Sequence, residues 1–297
     1  MQLNNRFSLY LNDIAQQAKT RLSDFRIYDL ASSSLNRMTS RQSFELQEDL
    51  AYGDHPRHRL DVYRSLVPRE ERPLIVFVHG GTWSRGDKKD YLFVGESFAK
   101  EGFDVAIINY RLAPEYIFPS YIDDLVLALN YLNQQQNKLE ISTEHVILMG
   151  HSAGGFNVMS AVYHPQAYLL ECKQQIKAIV GLAGPYHFDY QGDIYLEQAF
   201  NPHIPYQDVM PYYFVEHNQI QHILLLAEKD RMVANSNTLD MHQKLLEKGN
   251  KSQIYSVPKT GHITLIGSVS SFFSPYFDTK QVILSHLDQV LMKKSAA

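Results

Sequence analysis

The feature of this chain that most constrains its fold is the pentapeptide Gly150-His151-Ser152-Ala153-Gly154. It follows directly on the apolar run His145-Val146-Ile147-Leu148-Met149 and precedes residues 156–163, which are compatible with a helix. A G-x-S-x-G sequence between a buried strand and a helix forms a very tight turn, whose serine is held in a strained conformation with Oγ exposed at the top of a sheet. The position of the motif therefore predicts that Ser152 is a nucleophile at the carboxyl end of a strand.

Short apolar segments alternate with helix-compatible segments along most of the chain. The strand-like segments lie at residues 59–63, 74–78, 104–108, 146–149, 176–182, 223–226 and 254–257. Several are continuous and rich in β-branched residues, as in parallel strands that are covered on both faces. The helix-compatible segments lie at residues 91–100, 121–133, 153–163, 236–248 and 281–292. This alternation predicts the α/β class, with a single domain over residues 1–297 that contains a doubly wound, mostly parallel sheet with right-handed crossovers.

Two segments depart from this alternation and predict a small cap. Residues 185–218 are rich in Tyr, His and Pro, and a connection this long in a compact domain is usually a functional lid rather than a plain loop. Near the start of the chain, apolar residues recur every three or four positions and predict a helix whose stripe must dock on the domain or on a partner; they are Leu3, Phe7, Leu11, Ile14, Ala18, Leu22 and Phe25. We expect residues 1–40, approximately, and residues 185–218 to form this cap over the pocket at Ser152.

A serine hydroxyl is a poor nucleophile at neutral pH, so Ser152 needs a base, and that base needs an orienting acid. Asp230 follows the strand predicted at 223–226, and His262 follows the last predicted strand at 254–257. Both therefore lie at the carboxyl ends of strands, where open α/β sheets bind their ligands. The order Ser, Asp, His along the chain is also that of doubly wound hydrolases. These residues are the predicted catalytic triad.

Three other acidic residues are alternatives to Asp230. Glu228 is its nearest rival, although a residue that is still on the strand would usually point sideways. Asp189 and Asp193, in the segment 185–218, could form a displaced acid.

The segment His79-Gly80-Gly81-Thr82-Trp83 follows the strand predicted at 74–78 and predicts an oxyanion hole. Acyl transfer places negative charge on the former carbonyl oxygen, which backbone N–H groups stabilise by several kcal/mol. Paired glycines let the backbone turn inward and present such groups. We predict that the donors are the N–H groups of Gly81, Thr82 and Ala153, and that His79 is a structural hydrogen-bonding residue of the loop.

Two aromatic residues are the predicted substrate contacts. Trp83 is the only tryptophan, and it either lines the pocket or packs beneath the loop. Tyr186 begins the aromatic run of the cap segment. Because Tyr and Phe are plentiful, core packing is the alternative use of most aromatic side chains in this chain.

The composition favours a soluble enzyme or binding protein. It is 44% hydrophobic and 20% charged, as in globular proteins with a sizeable core. A formal charge of −4 and the lack of a Lys/Arg block give no footprint for nucleic acid or a membrane surface. Only Cys172 is present, which excludes an intrachain disulfide and a cysteine-based metal cluster. With no apolar signal-peptide core, the expected location is the cytoplasm; the oligomeric state is left open.

In combination, the motifs resemble those of the α/β-hydrolase superfamily, on the side of the hormone-sensitive-lipase-like esterases and the kynurenine formamidases. The matching pieces are 79–83, Asn109-Tyr110-Arg111-Leu112-Ala113-Pro114-Glu115, 150–154, the Asp230 segment and Gly261-His262. The segment 110–115 is similar to the esterases, and the His-Gly-Gly-x-Trp loop is similar to the formamidases. Thr82 stands where the lipase-like group commonly has a third glycine.

These observations predict a serine hydrolase that cleaves small, short-chain carboxylic esters through an acyl-enzyme intermediate. That chemistry requires no metal or organic cofactor. A kynurenine formamidase-like amidase would use the same machinery and is the nearest alternative. An alternative of another class is a non-catalytic ligand-binding protein on a hydrolase fold, against which the presence of all three triad residues argues.

Overall fold

A computed structural model describes residues 32–165 and 169–292 of the 297-residue chain. Their centre is one eight-stranded sheet. In chain order the strands are β1 (Phe44–Ala51), β2 (Arg59–Ser65), β3 (Leu74–Val78), β4 (Asp104–Ile108), β5 (Val146–His151), β6 (Ile176–Leu182), β7 (Gln221–Ala227) and β8 (Lys251–Val257).

The sheet has the order β1-β2-β4-β3-β5-β6-β7-β8. β2 pairs antiparallel with both β1 and β4, and all the other neighbouring strands are parallel. The carboxyl ends of β5, β7 and β8 therefore lie at the same edge of the sheet, which is the arrangement needed to bring residues from distant parts of the sequence together.

Six α-helices follow β3 in the described residues. They are α1 (Leu92–Ala99), α2 (Ser120–Leu139), α3 (Ala153–Tyr163), α4 (Ser236–Glu247), α5 (His262–Gly267) and α6 (Thr279–Met292). Residues 32–38 are also helical.

The central strands are buried on both faces, because alternate side chains enter two separate hydrophobic clusters. Val76 and Leu148 belong to the cluster that includes residues of α2 and α3. Phe77 and Met149 belong to the cluster that includes residues of α1, α5 and α6. The strands and helices predicted between residues 59 and 292 are present, and the predicted mostly parallel α/β sheet is confirmed.

The segment 185–218 contains two short 3-10 turns, Tyr206–Asp208 and Pro211–Phe214, and otherwise lacks regular structure. Several of its large side chains are buried in the cluster shared with α2 and α3, notably Tyr186, Tyr190 and Phe200. The segment is thus packed onto the sheet domain rather than forming a separate unit. The predicted N-terminal helix falls in residues 1–31, outside the described residues, so its role in a cap stays a prediction.

Candidate active site

Ser152 lies in the turn between β5 and α3, with φ 54° and ψ −123°. This left-handed conformation is rare for a residue with a Cβ and is typical of strained functional sites. The turn is held from behind, because the N–H of Ser152 donates to the carbonyl oxygen of Leu182 at 2.8 Å. A Cβ on Gly154 would stand 2.0 Å from the carbonyl oxygen of Val78, so only glycine fits at that position.

His262, the first residue of α5, is paired with Asp230 in the loop after β7. Its Nδ1 lies 2.7 Å from Oδ2 of Asp230. The other carboxylate oxygen accepts hydrogen bonds from the backbone N–H groups of Met232 and Val233, at 2.9 and 3.0 Å. Burial raises the pKa of Asp230, but the hydrogen bond and charge of His262, together with those two N–H groups, outweigh it and leave the pKa below its ordinary value. A carboxylate that stays ionised fixes the proton on Nδ1 of His262 and leaves Nε2 as the basic nitrogen.

The alternative acids are engaged elsewhere. Glu228 is exposed, and its Oε2 accepts from the N–H of Lys259 at 2.7 Å. Asp189 accepts from the N–H of Gln191, and Asp193 from backbone groups of its own turn. The structure therefore brings Asp230, and none of these three, to His262.

Ser152 and His262 line the same cavity. Neither Oγ of Ser152 nor Nε2 of His262 has a hydrogen-bond partner within residues 32–165 and 169–292. The hydrogen bond between a nucleophile and its base is often long in enzymes without substrate, and it shortens when substrate binds.

The loop after β3 has an unusual backbone. Gly81, Thr82 and Trp83 have φ values of 121°, 52° and 56°, so three successive residues lie at positive φ. A tight turn of this kind can present successive backbone N–H groups to an anion. In the part of the chain that the structure describes, the N–H groups of Gly81, Thr82 and Ala153 donate to no acceptor. Gly81 and Thr82 line the cavity with Ser152, and Ala153 opens α3 beside it.

Trp83 and Tyr186, the predicted substrate contacts, are both buried and are not among the residues that line this cavity. Trp83 packs beneath the loop, against the rings of Tyr121, Phe156 and Phe200. Tyr186 fills the space beside three glycines of the sheet domain. Both side chains therefore pack in the core, which was the alternative role for the aromatic residues. They are not part of the proposed substrate contacts.

His79 is buried between two tyrosine rings, with centroid distances of 4.5 Å to Tyr110 and 5.9 Å to Tyr91. Nδ1 of His79 lies 2.7 Å from the carbonyl oxygen of Gly80. The hydroxyl of Tyr110 donates to the backbone carbonyl oxygen of His79 at 3.0 Å. Burial lowers the pKa of His79 to about 4, so the ring is neutral at physiological pH. These contacts fit the structural role predicted for His79.

The cavity at Ser152 is small. Its volume is about 30 Å³. Sequence reasoning missed most of the side chains around it, because they are scattered over five segments. The lining residues are Gly80, Gly81, Thr82, Arg85, Gly86, Tyr91, His151, Ser152, Met232, His262 and Ile263.

Comparison with known proteins assigns the chain to a family. The BD-FAE family model matches residues 60–245, which is more than half of the chain and includes Ser152 and Asp230. The chain belongs to the BD-FAE family. This assignment agrees with the motif resemblance described above.

Similar curated proteins carry names of hydrolases. The chain is 30% identical over 163 residues to the probable isoprenylcysteine alpha-carbonyl methylesterase ICME of Oryza sativa subsp. japonica, covering 53% of this chain and 39% of the relative. It is 26% identical to kynurenine formamidase of Drosophila melanogaster, covering 50% of this chain and 48% of the relative. In both comparisons the chain spans less than half the length of the relative.

Similar solved structures include a C6-C4 SN3 inhibited esterase B from Lactobacillus rhamnosis, with a TM-score of 0.75 and 15% identity, covering 91% of this chain and 94% of the other. A bacterial heroin esterase has a TM-score of 0.69 and 18% identity, covering 87% and 88% of the two chains. These matches confirm the predicted α/β-hydrolase fold. Within the described residues, the helices are all too short or too polar to cross a bilayer.

Proposed function

We propose that this protein is a serine hydrolase that cleaves short-chain carboxylic esters, with Ser152, His262 and Asp230 as its catalytic triad. The observation that carries the proposal is the pairing of Nδ1 of His262 with Asp230 at 2.7 Å, on the residue that shares a cavity with the strained Ser152. A base that is oriented by a buried acid and lies beside a strained, half-buried serine is the arrangement that activates a hydroxyl for acyl transfer.

The reaction begins when Nε2 of His262 takes the proton of Ser152 as Oγ attacks the ester carbonyl carbon. Asp230 remains ionised and stabilises the imidazolium that forms. The negative charge on the carbonyl oxygen is accepted by the N–H groups of Gly81, Thr82 and Ala153. Because Ala153 is the first residue of the 11-residue helix α3, the helix dipole adds to this stabilisation.

The tetrahedral intermediate collapses when His262 returns its proton to the alcohol oxygen, which leaves as the free alcohol. The carbonyl carbon stays bonded to Oγ of Ser152 as an acyl ester. A water molecule then attacks this ester while His262 takes the water proton, and the acid product departs with the serine restored. No step calls for a metal ion or an organic cofactor.

A short acyl chain is supported by the size of the cavity at Ser152. Tyr91, which is almost fully buried, bounds it together with Gly80, Gly81 and Thr82. Each methylene that fits an apolar pocket adds about 1–3 kcal/mol of transition-state binding, so preference should rise with chain length only until the space is filled. We expect the highest kcat/KM on acyl chains of roughly two to six carbons.

A formamidase is the second candidate, because the Drosophila relative carries that name and the chain has the His-Gly-Gly-x-Trp loop. The two candidates differ in the leaving group: an anilide needs more protonation assistance than an alcohol. The test is kcat/KM on p-nitrophenyl butyrate against N-formylkynurenine, with p-nitrophenyl octanoate as the chain-length control. The proposal expects butyrate to be the best of the three; a tenfold preference for the formamide would replace the ester assignment.

A further inference from the structure

His151 is a second histidine at the candidate active site. It precedes Ser152 at the end of β5, and its side chain is buried although the residue lines the cavity. Its ring centroid lies 4.8 Å from that of His262. Its Nε2 lies 3.0 Å from the backbone carbonyl oxygen of His262. The mechanism above gives this residue no part.

The tautomer of His151 follows from its partners. A carbonyl oxygen can only accept, so Nε2 must carry a proton and donate it to the carbonyl oxygen of His262. Burial, together with the nearby His262, lowers the pKa of His151 to about 3, so the ring holds a single proton at physiological pH. Its Nδ1 is then a bare acceptor, buried and without a partner among the described residues.

Two hydrogen bonds tie residue 262 to neighbouring strands. The Asp230 carboxylate holds the imidazole from the loop after β7, and the side chain of His151 holds the backbone from the end of β5. Other hydrogen bonds hold the loop before α5, such as those from the N–H of Lys229 to the carbonyl oxygen of Thr260 and from the N–H of Lys259 to Glu228, but they act on residues 259 and 260 rather than on His262. Since His151 is bonded covalently to Ser152, its hydrogen bond couples the position of the base to that of the nucleophile.

His151 also faces the loop at residues 79–83, which holds the predicted oxyanion hole and is called the oxyanion loop below. Its Nδ1 would lie 3.3 Å from a Cβ built on Gly80, and such a Cβ would lie 2.9 Å from the Cβ of Ser152. The imidazole therefore fills the space between the oxyanion loop, the nucleophile and the base. A residue in that place controls the relative positions of all three.

We propose that His151 is a positioning residue, whose Nε2–H holds the backbone of His262 so that the base stays aligned with Ser152 and Asp230. The proposal rests on the proposed hydrolase function. It assigns His151 no contact with substrate and no proton transfer.

Two substitutions of similar polarity separate positioning from simple packing. In His151→Gln the side-chain amide can reach about as far as Nε2 of histidine and can donate to the same carbonyl oxygen. In His151→Asn the amide is one methylene shorter and stands nearer the place of Nδ1. His222→Gln is the control for loss of a buried histidine elsewhere, because its Nδ1 also donates to a carbonyl oxygen, that of Lys251, at 3.0 Å.

The first readout is steady-state hydrolysis of p-nitrophenyl butyrate by the full chain. We expect His151→Asn to lower kcat about 10- to 100-fold, because a misplacement of about 1 Å can cost that much. KM should change little, since substrate binding is not altered. His151→Gln should recover most of the loss, and His222→Gln should retain the wild-type kcat.

The second readout does not need activity. The proton on Nδ1 of His262, held by Asp230, should give a downfield ¹H NMR signal, which is assigned by its disappearance in His262→Ala. This signal should persist in His151→Gln and broaden or vanish in folded His151→Asn. Equal kcat values for the Gln and Asn variants, or an unchanged signal in His151→Asn, would overturn the positioning role. If the wild type hydrolysed no ester, the proposed function would fail, and the NMR comparison would still decide the role of His151.

Discussion

The indole Nε1–H of Trp83 donates to Oδ1 of Asn157 at 2.9 Å, in a contact that is buried on both sides. Trp83 belongs to the strained loop after β3, and Asn157 lies on α3, the helix that directly follows Ser152. Positive φ at a residue with a side chain costs about 1–3 kcal/mol and persists only where the surroundings enforce it. The hydrogen bond therefore fixes the candidate oxyanion loop to the helix of the nucleophile.

Breaking this link should slow the reaction without weakening substrate binding. We expect Trp83→Phe and Asn157→Leu each to lower kcat by about 10-fold or more, because oxyanion donors act only when they are placed at the transition-state oxygen. The double variant should be hardly slower than either single variant, since both remove the same hydrogen bond. The measurement is a double-mutant cycle on kcat with p-nitrophenyl butyrate; losses that multiply in the double variant would contradict the coupling.

The assignment of the acid can be checked with a matched pair of variants. Asp230→Asn should lower kcat by roughly 10³- to 10⁴-fold, because an amide no longer holds the correct tautomer of His262. Glu228→Gln, which changes an exposed carboxylate two residues away, should stay within about threefold of the wild type, as surface changes usually do. A larger loss in Glu228→Gln than in Asp230→Asn would reverse the assignment.

Buried neutral histidines should make the fold sensitive to acid. His222 accepts from the hydroxyl of Tyr163 at 2.8 Å, and burial lowers its pKa to about 4. Between that value and about 6.5, the ordinary pKa of histidine, the unfolded chain binds a proton that the folded chain does not. The contribution of His222 to stability is thus fully present above about pH 6.5 and declines as the pH falls toward 4.

Chemical denaturation at several pH values measures this effect. Replacement of His222 by Gln should reduce the slope of unfolding free energy against pH, between pH 4 and 6.5, by up to about 1.4 kcal/mol per pH unit. Gln221→Ala, at the preceding position, removes no titratable group and should leave the slope unchanged. An identical slope in wild type and His222→Gln would contradict the burial of a neutral His222.

Replacement of Tyr by Phe should have different effects on stability at positions 186 and 190. The Tyr186 hydroxyl is buried and has no hydrogen-bond partner among the described residues. The Tyr190 hydroxyl donates to the carbonyl oxygens of Asn201 and Ile204. Tyr186→Phe should leave the unfolding free energy unchanged or raise it, whereas Tyr190→Phe should lower it by about 1 kcal/mol. Thermal unfolding of both variants measures the contrast, which a marked loss in Tyr186→Phe would contradict.

The sequence predicted the sheet well where strands are buried on both faces. The bounds of β3, β4 and β6 match the predicted segments, because short continuous runs of β-branched residues are typical of buried parallel strands. No segment was predicted for β1, which is an antiparallel edge strand with a register shift between Gln47 and Leu50 that breaks the alternation of side chains. Helix α5 was also missed, because six residues are too few for a helical period to emerge.

At the candidate site, the order of motifs along the chain predicted which residues would meet. It could not predict their surroundings, because these depend on contacts between distant segments. Trp83 packs against Phe200 from the segment 185–218, and that packing buries it away from the cavity. The signals that could have pointed to His151 and Asn157 are a polar side chain inside the serine motif and an asparagine within an apolar helix. Neither signal indicates which residue the side chain would bind.

The central claim, that Ser152 is an activated nucleophile, is tested most directly by covalent labelling with a fluorophosphonate. The wild-type protein should gain one label, which peptide mass spectrometry should locate on Ser152. Labelling should be lost in Ser152→Ala and be much slower in His262→Ala, because the base is needed to activate the hydroxyl. Labelling of Ser152→Ala at the wild-type rate, or no labelling of the folded wild type, would contradict the claim.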